Sequence, residues 1–229
     1  NASLPRRTHE ALVAIGASGA DTSWQFPLRS ATANQSAASV LAYWNEFADG
    51  QATRNATAHL VRRIRTWRPE VIVTEDVSTR GDNPLAHLTN QLVLTAVQQA
   101  ADATFNSDQI TTAGLEPWKV KKVYAVPSGG RTGAVSISAA QWAPRLGGSL
   151  GEYAQRGSGL VQTDYERGPA QVNMSLLVDH LPQQTGRRDL FSGIALTPGG
   201  EARRELPEVV QENLEALSRA AQKRHNVQI

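Results

Sequence analysis

His87 is the residue in this 229-residue chain best placed to do chemistry. It follows closely on Glu75, Asp76 and Asp82, and it opens the apolar rhythm of a helix. An imidazole beside carboxylates on a loop is how a divalent ion is held without cysteine. The same residue types also favour a helix start through capping and the dipole, so both readings stand at this point. Of the other histidines, His9, His59 and His225 fall on or at the end of helical segments with no acidic partner at metal spacing. His180 ends a strand segment, Val178-Asp179, but Leu181 and Pro182 give it no ligand pattern. Gly157-Ser158-Gly159 is too short for the serine elbow of a hydrolase. The doublets Gly129-Gly130, Gly147-Gly148 and Gly199-Gly200 lack phosphate-loop spacing, which disfavours a nucleotide-binding domain.

The elements around His87 follow from periodicity. Between Thr53 and Arg68, Leu60, Val61, Ile64 and Trp67 share one face, with Arg54, Arg62, Arg63 and Arg65 expected elsewhere, and Pro69 ends the helix. Glu70 to Thr74 is a β-branched run suited to a strand covered on both faces. A polar loop, Glu75 to Asn83, leaves its carboxyl end, where open α/β sheets bind ligands. Pro84 then opens a helix whose Leu85, Leu88, Leu92 and Ala96 step by 3 and 4. Further expectations are a helix over 8–15, strands over 21–26, 120–126, 134–137 and 172–178, and helices over 146–161 and 207–223. Residues 27–39 have loop composition.

Composition bounds the rest. A net charge of +2 without basic clustering predicts no nucleic-acid partner, and no apolar run approaches the ~18 residues of a membrane span, so no membrane partner is expected. With no cysteine there is no disulfide, iron–sulfur or thiol chemistry, and any metal must sit on His, Asp or Glu. The absence is compatible with more than one compartment.

The run Ile64-Arg65-Thr66-Trp67-Arg68-Pro69-Glu70-Val71-Ile72-Val73-Thr74-Glu75-Asp76, followed by a polar loop, His87 and the helix Gln91 to Val97, resembles the LmbE-like (PIG-L) family of zinc-dependent N-deacetylases. Arg7 to Leu12 is similar to that family's R-x-x-E-A helix, and Trp118 to Tyr124 to its following strand. The resemblance covers roughly residues 6–126. It implies a Rossmann-like α/β fold, a mostly parallel sheet with flanking helices, that is incomplete at the N-terminus and carries a C-terminal α+β extension. It also implies a zinc ion that activates water against an acetamide. His87 matches the last His of the family's H-P-D-H motif and is the implied metal ligand, with Glu75, Asp76, Arg80, Asp82 and Asn83 as the substrate-binding loop. The first His of that motif is absent, Glu75 stands where a strand-end His is usual, and no A-H-P-D-D-E motif, the family's source of two further ligands and the base, occurs in the 229 residues.

The resemblance therefore implies removal of an N-acetyl group from a sugar-like substrate if an upstream segment or partner chain completes the site. The competing expectation is an inactive scaffold that binds a glycan or protein, motivated by Trp24, Tyr43, Trp44 and Phe47. The composition change near Pro127 places the expected division between a domain of residues 1–126 and a β-rich extension of 127–229 with a terminal helix.

Overall fold

The computed structural model describes residues 4–16, 35–76, 83–127, 131–161, 168–182 and 189–195. The expected segments 21–26 and 207–223 lie outside them. Two compact units divide the chain, Asn1–Gly193 and Ile194–Ile229, and all elements described here belong to the first. They run α1 (Leu4–Ala14), α2 (Ala37–Glu46), α3 (Ala52–Trp67), β1 (Val71–Thr74), α4 (Pro84–Ala100), the single turn α5 (Asp108–Thr111), β2 (Lys122–Ala125) and β3 (Val135–Ser138). A small hairpin of β4 (Trp142–Ala143) and β5 (Gly148–Ser149) follows, then α6 (Leu150–Val161) and β6 (Gln171–Asp179).

The α/β class is as expected. Four strands form one mixed sheet in the order β1-β2-β6-β3. β1 and β2 are parallel, with Val71 opposite Lys122 and Thr74 opposite Ala125. β6 runs antiparallel to both neighbours, with a bulge between Val123 and Tyr124 where it meets β2. The residue 126/127 boundary thus falls between strands that share this sheet.

Because strand side chains alternate in direction, the two faces of β1 and β2 build different cores. Ile72 and Val123 pack with Val61 and Ile64 of α3 and with Ala96, Val97 and Ala100 of α4. Val71 and Tyr124 face the other way, toward Val135 and Met174. Lys122 is buried on the strand yet satisfied, its Nζ donating to the Ser192 carbonyl.

One sequence expectation is corrected on α3. Arg65 is 1% exposed and Trp67 is 54% exposed, the reverse of their anticipated faces. The 3.6-residue period carries the buried stripe through Thr57, Val61, Ile64 and Arg65. There the guanidinium donates to the carbonyls of Gln99, Ala100, Asp102, Phe105 and Asn106 at 2.7–3.5 Å. Those of Gln99, Ala100, Asp102 and Asn106 also accept a backbone N–H, so the guanidinium adds a second donor at the end of α4 and its following turn. Arg65 therefore fixes the far end of the helix whose near end carries His87. Burial lowers its pKa, and the nearby Asp102 partly opposes that shift.

A second difference concerns residues 27–39, whose last three begin α2 behind a Ser36 cap that accepts from the Ser39 amide. Trp44 of α2 is buried against Ala52, Ala56 and Leu92, and Tyr43 and Phe47 meet edge to face at 5.1 Å. Trp44 is thus a core contact between α2, α3 and α4, with Tyr43 packed against it, whereas Phe47 is exposed. Trp24 lies outside the described residues.

Candidate functional site

The site sits where β1 and β2 end and α4 begins. Thr74 is the last residue of β1, and its side chain is buried. Glu75 is exposed, but its backbone carbonyl accepts a 2.9 Å hydrogen bond from the Asn90 side-chain amide. Asp76 turns inward, its side chain 5% exposed, and takes a 2.5 Å ion pair from Arg131 Nη2. Arg131 comes from the segment beyond β2, so the pair bridges the carboxyl ends of the two parallel strands.

Asn83 caps α4: its side chain accepts from the Ala86 amide at 3.0 Å, and Pro84 occupies the first turn, where a missing N–H costs nothing. The His87 amide donates to the Asn83 carbonyl at 3.2 Å, so the imidazole leaves the helix one turn in. His87 and Asn90 are three apart and share a helix face. Among the described residues, His87 Nδ1, Asn90 Oδ1 and Thr74 Oγ1 are buried without a hydrogen-bond partner. Thr74 ends β1 and the other two stand on α4, while Gln35, Arg68, Glu70 and Gln99 carry such atoms elsewhere; buried polar groups are nearly always satisfied.

Of the loop residues singled out from sequence, Glu75, Asp76 and Asn83 gather here with His87, whereas Arg80 and Asp82 lie outside the described residues. Their parts differ: Asn83 is engaged as a cap and Asp76 as the partner of Arg131. Thr74, Asn90 and Arg131 had not been singled out. Asn90 could have been found by its step of three from His87. Nothing in the local pattern around Arg131 announces a partner 55 residues earlier.

Of the remaining described histidines, His9 is exposed on α1 and the other two stand elsewhere. His180 Nδ1 lies 2.7 Å from the Val120 carbonyl, which can only accept, so that nitrogen carries the proton. It stands at the opposite end of β2 from the site. His59, on α3, has its pKa lowered first by burial and then by Arg63 and Arg62.

A buried imidazole nitrogen without a partner fits one position of a divalent-ion site. No cluster of three or more His, Asp or Glu able to hold a metal occurs among the described residues. A catalytic zinc takes three protein ligands, and the described residues do not bring three together.

With this geometry in place, similarity becomes informative. No family model matches the chain. Its residues are 37% identical over 90 positions to a 1D-myo-inositol 2-acetamido-2-deoxy-alpha-D-glucopyranoside deacetylase of Streptomyces scabiei (strain 87.22). The two proteins are distant relatives. The matched stretch is 38% of this chain and 25% of that protein, so it spans about a quarter of the relative's length.

Proposed function

We propose that this chain is part of an LmbE-like (PIG-L) metal-dependent de-N-acetylase acting on an N-acetylated, sugar-like substrate. The observation that carries the proposal is the buried, unpartnered Nδ1 of His87 near the start of α4, the helix that follows β1. The relative supplies the reaction class, since its name describes an enzyme that deacetylates a 2-acetamido sugar.

In this reading His87 holds zinc, and the other ligands come from a segment with the character of A-H-P-D-D-E, located upstream or on a partner chain, because these 229 residues contain no such motif. A bound zinc ion supplies a Lewis acid that polarises the acetamide carbonyl and makes water acidic. The chain's own residues do the rest. The Asn90 tie to Glu75 fixes the angle between α4 and β1, and hence where the imidazole stands. Asp76 and Glu75 belong to the substrate side in this reading, Arg80 and Asp82 are assigned to substrate by the family resemblance alone, and Asn83 holds the helix start that presents His87. The parallel β1–β2 pair and its covering helices fit a Rossmann-like arrangement, whose strand ends are where ligands dock.

The test is acetate release from methyl 2-acetamido-2-deoxy-α-D-glucopyranoside by the polypeptide as its gene encodes it. Release abolished by a chelator and restored by zinc is the expected result. Equal release with and without chelator contradicts a metal-dependent reaction, and no release from any 2-acetamido sugar contradicts the substrate class.

A further inference from the structure

Resting on the reading that the substrate is a 2-acetamido sugar, we propose that the groove between α6 and the outer end of the β3–β6 ladder binds an apolar, uncharged aglycone carried by that sugar. β6 reaches past β2: Ala125, the last residue of β2, pairs with Ser175, and residues 171–174 pair with β3 instead. This overhang lies beyond the carboxyl ends of the parallel strands, at the same end of the sheet as the candidate site. At ~3.3 Å per residue, Val172 and its partner Ile137 stand roughly 10 Å past the level of Ala125. Their side chains share the face on which Val135 and Met174 are buried.

The groove has a volume of about 910 Å³, the size of a small-molecule site. Ile137, Val172, Leu150 and Pro169 supply apolar lining. From α6 come Gly151, Ala154, Gln155 and Ser158, whose spacing puts them on one helix face. Another face of α6 is taken by α1, where a Cβ on Gly157 would lie 2.9 Å from Ile15 Cγ2 and 3.0 Å from the Ala11 carbonyl oxygen. The helix is also pinned at its start, where the Gly151 amide donates to the Ala139 carbonyl at 2.8 Å. Held at both points, α6 keeps the groove formed before a ligand arrives, which lowers the ordering cost of binding.

The lining selects the ligand. Glu152 is the one ionisable side chain among the described lining residues, and its Oε2 accepts from the Ser149 amide and hydroxyl at 2.8 and 2.9 Å. Those two bonds hold its pKa below the ordinary carboxylate value, so an anionic aglycone would meet a fixed negative charge. The Ser158 hydroxyl is turned back on its own helix, donating to the Gln155 carbonyl. A polyol would therefore give up its hydrogen bonds to water for few in return, whereas an alkyl chain gains by burial against the apolar lining.

The experiment compares octyl and methyl 2-acetamido-2-deoxy-α-D-glucopyranoside as substrates of the polypeptide as its gene encodes it, with the octyl glycoside kept below its micelle-forming concentration. The octyl glycoside is expected to be deacetylated with a kcat/KM about tenfold or more above that of the methyl glycoside. Ala154→Trp, which fills the groove from α6, should bring that ratio close to one. Independently of activity, carbon-13 NMR should show the Ile137, Leu150 and Val172 methyl resonances moving with the octyl and not with the methyl glycoside, while those of Val97 and Val120 in the other core stay. A ratio near one in the unaltered protein, with the groove methyls still, overturns the aglycone assignment and leaves the sugar reading standing. Groove methyls that answer equally to octyl glucoside, which lacks the acetamide, while neither acetamido sugar is deacetylated, overturn both.

Discussion

The Asn90 side-chain amide donates to the Glu75 carbonyl at 2.9 Å, tying the second turn of α4 to the first residue beyond β1. Asn90 is fully buried, so the bond is shielded from water. Replacing Asn90 with Ala strands the Glu75 carbonyl and should cost about 1–3 kcal/mol. Urea unfolding measures it, and a cost below about 0.5 kcal/mol would show that the tie is dispensable.

Arg65 organises the other end of α4. Arg65→Met removes the donor to the Phe105 carbonyl, whereas the Gln99, Ala100, Asp102 and Asn106 carbonyls keep a backbone N–H, and it should destabilise by about 1–3 kcal/mol. Arg65→Lys should recover only part of this loss, since an ammonium cannot span carbonyls arrayed around a planar fork. Matching unfolding midpoints for Arg65→Lys and the unaltered protein would contradict that geometry.

His59 makes a pH prediction. Its pKa in the folded protein lies below the ordinary value of 6.5, through burial and the nearby Arg63 and Arg62. Below about pH 6.5 the unfolded chain takes up a proton that the folded chain resists, so unfolding is favoured as pH falls. His59→Gln removes this contribution. The difference between the stability curves of the two proteins should be constant above about pH 7, and the unaltered protein should lose more on acidification toward pH 5.5. Parallel curves would mean that His59 titrates normally when folded.

Gly133→Ala tests the close approach of the segment after β2 to β6. The added methyl would overlap the Met174 carbonyl, and a backbone cannot yield as a flexible side-chain tip does. The β3–β6 ladder begins at Val135 opposite Met174, so the strain falls on that pairing. Hydrogen exchange at the Val135 and Met174 amides should accelerate in the variant, and unchanged protection would refute the contact.

Much of the frame around the site was legible in the sequence. Pro69 and Pro84 punctuate the chain, and the apolar periods of α3 and α4 and the β-branched run of β1 lie within a residue or so of the observed elements. Two things were hidden for physical reasons. Arg65 reads as a surface charge because hydropathy does not register that a guanidinium can satisfy a helix end. Arg131 sits in a Gly- and Ser-containing stretch that reads as a connector, and its significance arises from Asp76, a partner fixed by the parallel pairing of β1 and β2. Likewise, Val172 to Val178 reads as a strand in an appendage, while its hydrogen bonds place it inside the main sheet.

The most direct test of the account is zinc content. The polypeptide as its gene encodes it is dialysed against zinc-free buffer and compared with His87→Ala. The account predicts about one zinc per chain in the unaltered protein and loss of that zinc in the variant at an unchanged melting temperature of the metal-free form. Equal zinc in both proteins, or none in either, would contradict His87 as a ligand.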